Sequence, residues 1–116
     1  INTLTETQAD EKWFNRLNEI IQENISNTEF SVDQLTRSVN MSRTLLYAKV
    51  KAVTGLTPNE FIRLVRLRKA AEYLAGNEYK INEICYMVGF NSPSYFAKCF
   101  QNQFGVLPKD FINNTN

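Results

Sequence analysis

Two short runs of this chain carry side chains whose types and spacing suit recognition of a polyanion. On a helical wheel of residues 42–54, Leu46, Val50 and Val53 cluster inward. The opposite face carries Thr44, Tyr47, Ala48 and Lys51, with Arg43 at the N-terminal flank. In residues 92–104, Phe96 and Phe100 point inward and Ser94, Ala97, Lys98 and Gln101 point away. Tyr95 stands at the edge of that apolar stripe, where it either packs or touches a base. Ser42 and Ser92 are placed as N-caps, and beside Ser92 and Asn91 the open backbone N–H groups of a helix start can hold a phosphate. Short hydroxyls, an amide and isolated cations hydrogen-bond to base edges or phosphates while leaving room for close approach. The same side chains also suit plain solvent exposure, so the elements that carry them have to decide.

Those elements occur twice. Ser31 caps a short helix, with Gln34 at the capping-box position and Val32, Leu35 and Val39 inward. Asn40 and Met41 make a tight break, Asn being tolerant of a left-handed backbone. The run from Ser42 then continues to Gly55. Further along, Ile81, Ile84, Cys85 and Val88 line a second short helix, Gly89 and Phe90 occupy the turn, and Ser92 with Pro93 opens a helix that reaches Gly105. Val32, Leu35, Val39 and Met41 match Ile81, Ile84, Val88 and Phe90 at an offset of 49. Leu46, Val50, Gly55, Pro58, Phe61 and Ile62 match Phe96, Phe100, Gly105, Pro108, Phe111 and Ile112 at an offset of 50. Short helix, tight turn, helix is the grammar of a helix-turn-helix, here duplicated.

Between the copies lies a long helix over 57–75. Thr57 and Glu60 form a capping box around Pro58, and Gly76 is the expected stop. Arg63, Arg66 and Lys69 recur along it as a basic stripe. Before the first copy, Trp13, Leu17, Ile20, Ile21 and Ile25 define an amphipathic helix over 10–26 with an acidic outer face. Residues 27–30 form a turn, and a final short helix covers 108–112. Period-two alternation is absent. The expected fold is all-α, with about seven helices: a linker over 1–9, a first helix-turn-helix subdomain over 10–56, a connecting helix over 57–76 and a second subdomain over 77–116.

Net charge is only +1, and its distribution says more. Residues 1–41 carry −4, residues 42–70 carry +6 and residues 71–116 carry −1. The basic zone comprises Arg43, Lys49, Lys51, Arg63, Arg66, Arg68 and Lys69, a phosphate-binding footprint unless its cations are paired locally, as Arg68 and Glu72 could be. Lys51, Arg63 and the helix N-termini are the expected holders of phosphates. The chain has no His, no Gly-rich phosphate loop and no paired carboxylates with a task, which argues against an enzyme and calls for no cofactor or metal. Cys85 and Cys99 both fall on apolar faces, as reduced core thiols of a cytoplasmic protein would. No run is long and apolar enough for a bilayer, so no membrane contact is expected of this segment. An Ile at the first position suggests a piece of a longer product.

From about Leu17 to Phe111 the chain resembles the C-terminal DNA-binding domain of AraC/XylS-type bacterial transcription regulators. The residues that carry this are Ile81–Asn82–Glu83–Ile84–Cys85, Val88–Gly89–Phe90, Ser94–Tyr95–Phe96, Phe100, Phe104–Gly105 and Pro108, together with Met41–Ser42–Arg43 through Lys51 to Pro58 in the first copy. It is similar above all to versions attached to hybrid two-component sensors. The resemblance implies two helix-turn-helix units whose recognition helices enter adjacent major-groove segments of double-stranded DNA, about one helical turn (~34 Å) apart. By position it puts base contacts on Thr44, Tyr47 and Ala48 in the first copy and on Ser94, Tyr95, Ala97 and Lys98 in the second; Arg43, at the N-terminal flank of the first, joins them from its place on the wheel. Phosphate contacts fall on Ser42, Lys51, Arg63, Asn91, Ser92 and Gln101. Expected partners are an upstream sensor or receiver domain and RNA polymerase, with dimerisation left to missing domains. Ala48 and Ala97 are smaller than the family's usual residues; an Ala can only touch a thymine methyl or leave room. The other reading the residues leave open is a helical protein-interaction module using Trp13, Phe14 and the acidic first helix. RNA is a poorer fit, since single strands want an exposed aromatic platform.

Overall fold

The structure, a computed structural model, describes residues 2–115, with side chains described for residues 8–112. Within them lie seven helices and no strand: α1 (Asn2–Glu23), α2 (Val32–Val39), α3 (Arg43–Thr54), α4 (Pro58–Gly76), α5 (Ile81–Met87), α6 (Pro93–Phe104) and α7 (Pro108–Thr115). None is long and apolar enough to cross a membrane.

The helices start and stop where their capping chemistry is made. At α2, Gln34 Oε1 accepts from the Ser31 N–H at 3.1 Å, and Asn40 closes the helix at φ 53°. Ser42 Oγ accepts from the Leu45 N–H at 3.2 Å to open α3, and Ser92 Oγ accepts from the Tyr95 N–H at 3.3 Å to open α6. A full capping box opens α4: Thr57 Oγ1 accepts from the Glu60 N–H at 3.2 Å, and Glu60 Oε1 from the Thr57 N–H at 2.9 Å. The duplication extends to these bonds. Met41 N–H reaches Thr36 O at 3.1 Å and Phe90 N–H reaches Cys85 O at 3.0 Å; Gly55 N–H to Lys51 O and Gly105 N–H to Gln101 O are both 2.8 Å.

Helix ends depart from the sequence expectations in four places. Helix α1 begins at Asn2 instead of Asp10, because residues 2–9 contain neither Pro nor Gly and helix propagation needs no apolar face. It ends at Glu23, where Asn24 turns its Nδ2 back to Ile20 O at 2.8 Å. Gly76 is still helical; the left-handed stop is Asn77 at φ 56°, with its N–H on Leu74 O at 3.2 Å. Helix α7 runs on to Thr115.

Two compact units result. One contains the described residues up to Asn24 together with Phe30–Ile62; the other contains Ile25–Glu29 and the described residues from Arg63 onward. Helix α4 is therefore shared, its first turn belonging to one unit and the remainder to the other. In the first unit Leu17, Ile20, Ile21, Val32, Leu35, Leu46, Val50 and Phe61 are buried, and Phe14 packs its ring on Phe61 at 5.2 Å. Val53, read as inward, is 42% exposed: it lies at the end of α3, past the last turn that the core covers.

The second core collects Leu67, Ala70, Leu74, Ile84, Cys85, Val88, Phe90, Phe96, Cys99 and Phe100. Its centre is aromatic, with Phe100 between Phe96 at 5.9 Å, Phe104 at 4.6 Å and Phe111 at 5.4 Å. Into this unit Arg66 is buried, contrary to its place in a basic surface stripe. Its guanidinium donates to Gly89 O, to Val88 O at 3.5 Å and to Asn27 O at 3.0 Å. Backbone carbonyls thus take the place of water around the cation, while burial lowers its pKa from the usual value. Gly89, at φ 90°, supplies both the turn and the room for that guanidinium.

Candidate nucleic-acid interface

In the first unit the predicted face of α3 forms as expected from the wheel. Ser42, Thr44, Ala48 and Lys51 are exposed, and Tyr47 is half-buried with the Arg43 guanidinium 6.0 Å from its ring centroid. Arg43 itself is engaged with Asp33 of α2, an exposed ion pair of modest worth. The sequence reading passed over Leu45, which is 60% exposed on the same helix.

In the second unit, Asn91, Ser94, Tyr95, Lys98 and Gln101 are exposed at the turn and along α6. Ser92, half-buried as the cap, has its Oγ 3.2 Å from Ser94 Oγ. The Tyr95 ring packs at 6.0 Å on Phe90, and half of its surface stays exposed. Ala97 is set apart from the rest. It is half-buried and lines a groove of about 200 Å³ with Ile81, Asn82, Pro93, Leu107, Pro108 and Lys109.

Arg63 is grouped with the second unit. It lines a groove of about 320 Å³ with Leu67 of α4 and with Tyr95, Lys98, Cys99, Asn102 and Gln103 of α6. Two cations and three further polar groups in one concave surface make an anion-accepting trough beside the exposed face of α6.

Three of the seven cations of the basic zone, Arg43, Lys49 and Lys69, are paired with carboxylates. Lys49 is 3.9 Å from Asp10 and 4.7 Å from the Trp13 ring, and Lys69 is 3.2 Å from Glu72. The alternative left open for Glu72 was a pair with Arg68; the structure gives it Lys69, three residues away on the same helix. Among the described residues Lys51, Arg63 and Arg68 are left without an acidic partner, so the footprint is narrower than the raw charge count implies. Cys85 and Cys99 are free thiols in the core, and burial raises the Cys85 pKa, opposed in part by a backbone hydrogen bond from Ser92.

Two helix-turn-helix units with capped, polar, exposed second helices define the class. Residues 35–114 match the helix-turn-helix domain family, and the chain belongs to its AraC-type transcription regulators. It is 41% identical over 110 residues to histidine kinase P4 of Formosa agariphila, covering 95% of this chain and 8% of that protein. To the HTH-type transcriptional regulator MtrA of Neisseria gonorrhoeae it is 34% identical over 98 residues, 83% of this chain and 33% of that one. The chain thus spans a third or less of these relatives. Among solved structures, the C-terminal domain of AraT, a response regulator from Geobacillus stearothermophilus, superposes with a TM-score of 0.78 at 27% identity, over 86% of this chain and 83% of that one.

Proposed function

We propose that this chain binds double-stranded DNA sequence-specifically as the output domain of a bacterial transcription regulator, with α3 and α6 each entering a major-groove segment. The observation that carries this is the duplicated unit: each copy presents the second helix of its pair with a serine-capped N-terminus and an outer face open to solvent. Arg43, Thr44, Tyr47, Ala48, Ser94, Tyr95 and Lys98 are the side chains placed to reach base edges, with Ala97 at their margin. Ser42, Lys51, Arg63, Asn91, Ser92 and Gln101 hold phosphates. The mechanism is binding, not catalysis, in the cytoplasm. A kinase among the relatives and a response regulator among the structural neighbours support a two-component signal arriving from further domains, with RNA polymerase as the downstream partner.

In-vitro selection of bound duplexes with the purified chain tests the reading. Enrichment of two half-sites about 10 base pairs apart supports two reading helices; one compact site means that only one unit reads bases; no enrichment overturns DNA recognition. The competing reading, a protein-interaction module, draws on a groove of about 470 Å³ in the first unit, lined by Asp10, Glu11, Phe14, Asn15, Ala52 and Val53. Salt-gradient elution from a DNA column separates the two, because phosphate binding gives a steep salt slope.

A further inference from the structure

The 50-residue offset pairs Leu45 with Tyr95, Ala48 with Lys98 and Ala52 with Asn102. These three positions form one stripe along each recognition helix, at i, i+3 and i+7. Both units leave the large residue at the head of the stripe open to solvent: Leu45 is 60% exposed and Tyr95 50%. Their chemistry differs. The α6 stripe lines the trough with Arg63 and is polar and cationic, whereas the α3 stripe is wholly aliphatic. Nothing in the first unit's core requires a leucine at position 45, since its neighbour Leu46 fills that core with no exposure.

We infer that Leu45, together with Ala48, reads thymine C5-methyl groups in the half-site bound by the first unit, so that the two units recognise their half-sites by different chemistry. This rests on the DNA-binding reading and goes beyond it. An aliphatic side chain has no donor or acceptor to offer a base edge. The one apolar feature of the major groove is the thymine methyl, and burying it against Leu45 removes apolar surface from water on both partners. The polar α6 stripe instead accepts hydrogen-bonding edges and phosphates, and its half-site owes little to methyl groups.

Deoxyuridine differs from thymidine in the major groove only by that methyl, so replacing each dT of the selected site by dU in turn isolates the interaction. One buried methyl corresponds to about 0.8 kcal/mol, hence about a fourfold loss of affinity per methyl read. The expected result is such a loss at one or two positions of the first half-site for the wild-type chain. It should vanish in Leu45→Ala at the position that Leu45 covers, while a position covered by Ala48 keeps it, and no comparable loss should occur in the second half-site. Leu45→Met, which keeps the apolar reach, should retain the dU sensitivity. Equal dU sensitivity in wild type and Leu45→Ala, or no sensitivity at any position of the first half-site, overturns the inference. Should the chain enrich no duplex at all, it is the DNA-binding reading that fails. Thermal unfolding of each variant, expected unchanged because residue 45 is exposed, separates contact from folding.

Discussion

Three glycines of this chain share a left-handed backbone, and only one of them should be intolerant of a side chain. Gly55, Gly89 and Gly105 have φ of 78°, 90° and 82°. A Cβ built at Gly55 or Gly105 meets nothing within 4 Å. Built at Gly89 it falls 1.8 Å from Arg66 Nη1, 2.6 Å from Arg66 Cζ and 2.4 Å from the Ile25 carbonyl oxygen. Gly55→Ala and Gly105→Ala therefore incur the left-handed backbone term alone, about 1–2 kcal/mol. Gly89→Ala incurs that term and also drives the guanidinium off its carbonyls. Losing charge-assisted hydrogen bonds in a buried setting adds about 1.5–3 kcal/mol, for a total of roughly 2.5–5 kcal/mol.

Urea unfolding followed by far-ultraviolet circular dichroism measures the difference through the midpoint at constant slope. Trp13, the chain's one tryptophan, lies in the first unit, so its fluorescence follows that unit separately. The Gly89→Ala midpoint by dichroism should fall well below that of Gly105→Ala, with the smaller change in Trp13 fluorescence. A Gly89→Ala variant as stable as Gly105→Ala, within about 0.5 kcal/mol, would refute the reasoning, because Arg66 would then have no need of its carbonyl seat.

Truncating Phe100, fully buried among three rings, should cost about 3–5 kcal/mol of stability; an unchanged melting temperature would show that the aromatic cluster does not hold the second unit. Lys98→Ala should weaken the selected site by about 1–3 kcal/mol and relax one base position, whereas Lys51→Ala should weaken specific and random DNA alike and lower the salt slope. Competition binding at two salt concentrations tells these patterns apart, and a Lys98 variant that loses both equally makes Lys98 a phosphate contact. An alanine inserted between Ile62 and Arg63 falls at the boundary of the compact units, so it leaves each unit's own residues in sequence while turning α4 by about 100°. Binding to a two-half-site duplex should disappear with the unfolding curve preserved; full binding would mean that the units read DNA independently of the helix that joins them.

What the sequence made legible was chemistry expressed within a few residues. The serine caps, the Thr57–Glu60 box, the left-handed Asn40 and the aromatic run Phe96–Phe100–Phe104 each announce themselves locally, and the repeat multiplies the evidence. Arg66 was opaque for the opposite reason. Its spacing from Arg63 and Lys69 is that of a surface stripe, and the carbonyls that receive it lie 22, 23 and 39 residues away. The start of α1 was missed because periodicity reports burial, and the sequence of residues 2–9 has no apolar period although it is helical. Leu45, 60% exposed, was on neither the inward nor the outward face as read from the wheel, although the 50-residue offset to Tyr95 was available as a signal.

The duplication itself separates what builds the fold from what the fold presents. Backbone-level features recur between the copies: the caps Ser42 and Ser92, the closing glycines Gly55 and Gly105, and the prolines Pro58 and Pro108 that begin the next helices. Inward positions recur in kind, as with Leu46 and Phe96 or Val50 and Phe100. Outward positions do not: Leu45 answers to Tyr95, Tyr47 to Ala97, Ala48 to Lys98 and Lys51 to Gln101, with only Thr44 and Ser94 alike. Positions that face water are free to differ between copies, because no packing partner constrains their size, charge or hydrogen bonding, whereas the scaffold beneath them is constrained. On the proposed reading, two copies of one scaffold use that freedom to read two different stretches of a duplex, since direct readout resides in the side chains that reach base edges and not in the helices that carry them.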